Sequence, residues 1–497
     1  MSTGVTAETG RTAWTALELP APVQSFVKAG GGHLESRDPA TGEIVATVRG
    51  STAEDVAVAV EQARDAWKRG GWRSDGALRA RVLYGFAQAL RADRERLAEL
   101  LTREQGKTIH EARLEITGSA DMTEYYAGLA RAMYGRSMVL DDDVQSVVLR
   151  EPMGVVAVIT PWNWPLTLLV RSLAPALAAG NACIVKPASL TPAITVAALE
   201  LLDGQPDMPR DILSCVIGSG ADVGDSLVGS DGVDMIAFTG ETQTGINVMK
   251  RAAEGLRKVA LELGGKSPNI VFGDADMDKA LAGTENAIFT TCGQICTAGS
   301  RLLVEDRAYD EFVSRLADTT RNLRVGDGLD EANQLGAVVS ANQQETILEY
   351  VEAGKKEGTL VAGGSALTGE AYDRGSFVAP AVFTDLSPRS RLIQEEIFGP
   401  VLTVQRFADD DEAIALANST DYGLAAGVWT QNLNRAWRVG RALDAGTVWI
   451  NTYHHFYPEA EVGGYKHSGI GRQQGVEGIH EFTETKHINF DGSSTLW

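Results

Sequence analysis

The chain has 497 residues, of which 45 are basic and 66 acidic, giving a formal charge of −21 and a pI near 4.8. Such a length exceeds one ordinary core and predicts two or three domains. The acidic balance argues against a nucleic-acid partner, because phosphate backbones require a basic footprint, but it leaves room for an anionic cofactor held at helix termini.

In chain order, roughly the first thirty residues read as a flexible tail, and MSTGVTAETGRTAW lacks the charged-then-apolar order of a signal peptide. Ser51 and Glu54 spell a capping box for a helix carrying Val56, Val60, Ala63 and Trp67 and stopping at Gly70 and Gly71. Helical patterns then cover about residues 77–103 and 109–133, as packing layers without evident chemistry. Short alternation over about 136–151 predicts a hairpin, whose open edge invites pairing with another chain.

From Gly154 the apolar runs VVAVIT, ACIVK, LSCVI, MIAF and KVALEL alternate with helical stretches. That succession predicts a parallel sheet covered on both faces, with ligands at the carboxyl ends of its strands. A second α/β series follows Pro268, with VLTVQRF, AAGVWT and GTVWIN as strands. The long apolar run over 154–170 is interrupted by Pro161, Asn163 and Pro165 and reads as strand, loop and helix, so no membrane span is expected.

Of the four cysteines, Cys183 and Cys215 lie in apolar strand-like runs as buried, inert thiols, while Cys292 and Cys296 lack zinc-pair spacing. So few cysteines in so long a chain suit a reducing compartment, and the cytoplasm is the expected location. The adjacent His454 and His455 have no further ligand spacing, so no metal is expected and they read as pocket or surface residues.

Cys296 and Glu262 are the candidates for chemistry. Cys296 sits among Gly293, Ala298 and Gly299, which leave room for close approach, although a cysteine taken alone is more often structural. Glu262 ends KVALEL, where a carboxylate is unfavourable unless functional or paired, with Lys266 as one candidate partner. A thiol attacks a carbonyl and a carboxylate activates water, so together they can make and hydrolyse a thioester. Asn163, between the prolines of TPWNWP, suits either an Asx turn or a developing alkoxide. Gly240 and Gly245 frame a G-x-x-x-x-G opening a helix, fit for a pyrophosphate or merely a turn. Arg171 follows Trp164 by about two helical turns and either binds a carboxylate bidentately or pairs with an acidic neighbour.

LELGGK around Glu262 and GQICTAGSR around Cys296 resemble the general-base and nucleophile segments of the NAD(P)-dependent aldehyde dehydrogenase superfamily, a resemblance that runs from about Asp38 to about Ile488. It implies an α/β fold of three parts: a Rossmann-like cofactor domain over 1–134 and 154–263, an α/β catalytic domain over 264–479, and a small β-hairpin oligomerisation element over 135–153 and 480–497. It implies oxidation of an aldehyde to a carboxylic acid, with Cys296 as nucleophile, Glu262 as general base, and Asn163 with the Cys296 N–H as oxyanion donors. The implied cofactor residues are Thr160, Pro161 and Trp162; Lys186 and Ser189 at the adenine ribose; Gly220, Phe238, Thr239, Gly240, Glu241 and Gly245; Leu263 and Gly264; and Glu396 and Phe398 at the nicotinamide ribose and ring. The implied substrate residues are Trp164, Arg171, Ile295, Thr297, Phe456 and Val462.

Four departures from the family pattern stand out. Ser189 stands where NAD-preferring relatives commonly have a Glu that repels the 2′-phosphate, so NAD is favoured and NADP tolerated. Glu241 stands where the family more often has Ser, which puts the phosphate contact in doubt. Arg171 occurs in semialdehyde-oxidising members where many relatives have an aromatic residue, and EVGG at 461–464 replaces the usual PFGG. A semialdehyde or aromatic aldehyde is the expected substrate, and further copies of the chain, as a dimer or tetramer, are the expected partners. The rivals are a coenzyme A-acylating relative, disfavoured by Glu262, and a non-catalytic binding relative, disfavoured by Cys296, Glu262 and Asn163 together.

Overall fold

A computed structural model describes residues 27–28 and 30–492. Most of the expected N-terminal tail and the last five residues of the expected oligomerisation element lie outside them.

Two seven-stranded sheets dominate. The first runs Val27–Lys28, Leu213–Val216, Ala182–Lys186, Val155–Ile159, Met235–Thr239, Lys258–Glu262 and Gly469–Ile470, parallel except for the last pair. Its inner strands VVAVI, ACIVK, LSCV and MIAFT are buried at every residue, as expected where helices cover both faces. The second runs Thr359–Ala362, Ala381–Thr384, Val401–Phe407, Arg301–Glu305, Pro268–Val271, Ala425–Trp429 and Thr447–Ile450, parallel except for the first pair. A third, antiparallel sheet joins Thr483–Asp491, Val144–Pro152 and Arg136–Asp141, and its outer strand is exposed at every residue.

The helices depart from the expected boundaries for local reasons. The first spans Ala53–Arg69 and is capped by a box of Thr52 and Asp55, not Ser51 and Glu54. Ser51 is used elsewhere, its Oγ accepting from the Ile217 N–H at 2.9 Å. The pattern expected over 77–103 is two helices, Gly76–Ala92 and Arg94–Gln105, with Asp93 ending one and starting the other. The next helix, Ile109–Leu129, stops short of Met133; beyond it Gly135 lies against the Val148 carbonyl, where a Cβ would lie 2.1 Å from the oxygen. Among the described residues, no helix is long and apolar enough to cross a membrane.

Candidate active site

Strand Val155–Ile159 delivers the loop 160–164, and helix Pro165–Ala179 starts directly after it, with proline at its first turn and no side-chain cap of its own. Asn163 is buried, and its Nδ2 donates to the Gln294 carbonyl oxygen at 2.8 Å. One amide hydrogen is thereby used to fix the side chain, and the second remains for a substrate oxygen. Gln294 lies two residues before Cys296, so this bond ties the donor loop to the nucleophile loop. Gln294 is itself held at both ends of its side chain, donating to the Thr291 carbonyl at 3.0 Å and accepting from the Val339 N–H at 3.0 Å.

Glu262 ends its strand between Thr239 and Gly469. It is 4% exposed, Oε1 has no hydrogen-bond partner, and Arg171 Nη2 stands 3.9 Å from Oε2. Burial pushes its carboxyl up to about 7, against the opposing pull of Arg171 and Arg472. The charged partner is therefore Arg171, not the Lys266 weighed from sequence. Lys266 is buried with its own Nζ unpartnered, and burial and Arg301 bring it down to about 7.

Three residues past Glu262 the chain meets the nucleophile. A Cβ on Gly265 would lie 2.2 Å from the Cys296 carbonyl oxygen, so only glycine permits this approach. Cys296 is partly exposed, whereas Cys183, Cys215 and Cys292 are buried. Desolvation pushes the Cys296 thiol up to about 11; Arg171 acts to lower it, and Glu396 and Glu262 to raise it. The approach to this cysteine is strained: Thr291 and Cys292 have φ of 50° and 53° and Gly293 follows at 68°. Cys292 packs away from the site, its thiol donating to the Gly336 carbonyl at 3.2 Å.

The expected cofactor residues gather at the carboxyl ends of the first sheet. Thr160 Oγ1 is buried without a partner there. Lys186 ends its strand with Nζ donating to the Pro187 carbonyl at 3.1 Å, and burial lowers it to about 8. Ser189 Oγ donates to the Gly218 carbonyl at 3.0 Å. Phe238 and Thr239 end the next strand, and Gly240, Gly245 and Gly264 lie where a Cβ would strike Phe238, Leu263 and Glu396 respectively. Glu396 accepts from the Gly265 N–H at 2.9 Å and is pushed up to about 7 by burial. Phe398 meets Trp162 edge-on at 5.2 Å, beside Pro161. An unpartnered buried hydroxyl and a strand-end location together fit a dinucleotide. The exception is Glu241, whose carboxylate caps helix Thr242–Ala253 by accepting from the Gln243 and Thr244 N–H groups, the donors a pyrophosphate would use. Gly220 is exposed at the start of the π-helical segment Gly220–Gly224.

Residues 26–488 match the family model described as "Aldehyde dehydrogenase family". The chain belongs to the aldehyde dehydrogenase family. It is an NAD-dependent enzyme that oxidises aldehydes through a catalytic cysteine. Betaine aldehyde dehydrogenase of Bacillus subtilis (strain 168) is 41% identical over 454 residues, covering 91% of this chain and 92% of the relative. Among solved structures, betaine aldehyde dehydrogenase from Staphylococcus aureus in complex with NAD+ has a TM-score of 0.92 at 37% identity, covering 94% of this chain and 93% of that one. PnpE from Pseudomonas sp. WBC-3 gives 0.91 at 36% identity, covering 94% and 96%.

The substrate side of this aldehyde dehydrogenase is less uniform. Arg171 is 8% exposed, with Nε and Nη2 lacking hydrogen-bond partners. Thr297 Oγ1 is also buried and unpartnered, and Ile295 packs half-buried against the core of the second sheet. Phe456 is exposed and packs on Trp449 at 5.2 Å, while Val462 bridges to Gln473; neither joins the hydrogen-bonded set around Cys296. His454 stacks on Phe456 and meets Trp449 and Tyr453 edge-on, and burial lowers it to about 4. Sequence reasoning passed over Lys107, Glu111 and Glu115. Helix Ile109–Leu129 is no mere packing layer: it opens against both loops of the site.

Proposed function

We propose that this aldehyde dehydrogenase oxidises its substrate to a free acid, using NAD, through a thioester on Cys296 that Glu262 hydrolyses. What carries the reading is the seating of Gly265 on the Cys296 carbonyl, which sets the base strand and the nucleophile against each other. Cys296, as a thiolate whose proton has passed to solvent, attacks the carbonyl carbon, and the resulting alkoxide is held by the free N–H of the Asn163 amide and by the Cys296 N–H. Bound NAD supplies the acceptor for the hydride, which converts the adduct to a thioester. Glu262, as carboxylate, then takes a proton from the attacking water; the carbon–sulfur bond breaks and the acid leaves. Lys186, Ser189, Glu396 and Phe398 would hold the cofactor. Ser189 offers no carboxylate to repel a 2′-phosphate, which supports NADP tolerance.

The division of labour is tested by a burst experiment. Glu262→Gln releases about one NADH per site and then stalls; turnover at the native rate would reject the base assignment.

For the substrate, Arg171 supports an aldehyde with a distal carboxylate, since its two unpartnered nitrogens form half of a bidentate pair. The same guanidinium disfavours a fixed cation such as that of betaine aldehyde, the compound named for two of the relatives. The exposed outer strand, with Met138, Val139 and Leu140 open to solvent, supports assembly with further copies of the chain. Four unpaired thiols support a cytoplasmic location.

A further inference from the structure

Lys107 and Glu115 form an ion pair at 2.5 Å with both side chains fully buried. Sealing two charges in a core gains little stability by itself, so such a pair invites a search for what it holds. Glu115 Oε1 accepts from the N–H groups of Leu166 at 2.8 Å and Thr167 at 3.1 Å. These are first-turn donors of helix Pro165–Ala179, which lacks a cap of its own. Lys107 Nζ lies 3.9 Å from the centre of the Trp164 ring. The pair thus grips the residues immediately after Asn163 from two sides. One turn earlier on the same helix, Glu111 Oε1 accepts from the Thr291 N–H at 2.5 Å, at the left-handed segment leading to Cys296. Its other oxygen closes the capping box with Thr108.

We infer that Lys107 and Glu115 are positioning residues for the oxyanion donor: their ion pair supplies the missing cap of the helix behind Asn163 and thereby fixes the Asn163 amide against the nucleophile loop, which Glu111 anchors from the same helix. The carboxylate does two things at once. It neutralises Lys107, and it places a negative charge at a helix N-terminus, where the helix dipole favours it. Removing its charge loosens the first turn of that helix and lets the amide drift from the alkoxide. This rests on Asn163 being the oxyanion donor, as proposed above.

The experiment is a double-mutant cycle on the full-length enzyme, read as the single-turnover rate of NADH formation. If Glu115 acts through Asn163, Glu115→Gln slows the native enzyme about tenfold or more yet changes the Asn163→Ala enzyme less than about twofold. The KM for NAD and the affinity for NADH stay as in the native enzyme. Equal slowing in both backgrounds overturns the inference and leaves the Asn163 reading intact. A full native rate in Asn163→Ala overturns the Asn163 reading itself. Glu115→Asp, which keeps the charge but retracts it from the Leu166 and Thr167 N–H groups, is run through the same cycle should Glu115→Gln fail to fold. The same non-additivity is expected of it, and additivity counts against the inference in the same way.

Discussion

The Nη2 of Arg171 stands 3.9 Å from Glu262 Oε2, with both side chains at least nine-tenths buried. The geometry is too long for a strong hydrogen bond but close enough for the guanidinium to favour the carboxylate. Burial pushes Glu262 up to about 7, and Arg171 is the first of the groups opposing that rise. Because the active form of a base is deprotonated, hydrolysis of the thioester is expected to increase with pH through about 7. Arg171→Met removes the opposing charge, so this acid limb moves to higher pH. The pH profile of steady-state turnover in the two enzymes reads the shift; an unmoved or downward-moving limb contradicts the coupling.

The same arginine separates substrates. Arg171→Ala is expected to raise KM for an aldehyde bearing a distal carboxylate by about tenfold or more, the scale of one lost charge-assisted contact, and to change KM for a neutral aldehyde of equal length little. Parallel titrations with a matched pair of aldehydes measure it, and equal effects on both remove the carboxylate-binding role.

Glu241 spends its carboxylate on the Gln243 and Thr244 N–H groups. Glu241→Ser shortens the cap and removes a negative charge from beside the proposed pyrophosphate. Tighter binding of NAD is expected, by about 2- to 10-fold, the range of one charge at a helix N-terminus. Fluorescence titration with NADH checks this, and weaker binding would show that the capped helix end is itself the form that suits the cofactor.

Asn163→Ala deletes the side-chain donor and leaves the Cys296 N–H. Loss of one such donor is expected to lower kcat by about 10²–10³-fold. Its bond to the Gln294 carbonyl also disappears, so a thermal melt is run alongside to separate unfolding from lost catalysis.

Thiol labelling distinguishes the two neighbouring cysteines. Cys296 is partly open while Cys292 is buried against Gly336 and pushed far above the usual thiol range by burial. Iodoacetamide on the native enzyme is expected to modify Cys296 alone and to abolish activity. Modification of Cys292 with activity retained would reverse the assignment.

What the sequence disclosed depended on whether the relevant group has a letter. Glu262 beside a glycine pair, Cys296 among small residues and Asn163 between prolines are each unusual strings, so they stand out before any coordinates. Alternating apolar runs likewise announced the first sheet, since a fully buried strand has little else to be made of. The cap of the first helix was misplaced by one residue because Ser51 and Thr52 offer equivalent hydroxyls, and only the demand of the Ile217 N–H decides between them. Lys107, Glu111 and Glu115 stayed hidden for a different reason. Most of what they hold is main-chain N–H at residues 166, 167 and 291, and a main-chain donor looks the same at every position. The break at Asp93 was equally silent, because an acidic residue inside a helical pattern reads as exposed surface.

The strand bearing Glu262 has the late segment Gly469–Ile470 as its antiparallel neighbour, with Gly469 opposite Glu262 itself and its φ at 149°. The ladder that seats the base thus closes across some two hundred residues of intervening chain, a slow kind of contact to form. During synthesis the first sheet can assemble while the hydrolytic step has yet to acquire its wall. A refolding enzyme would then recover dinucleotide affinity before it recovers turnover, and a ribosome-bound chain ending before residue 469 would be an unfinished catalyst with a nearly complete sheet.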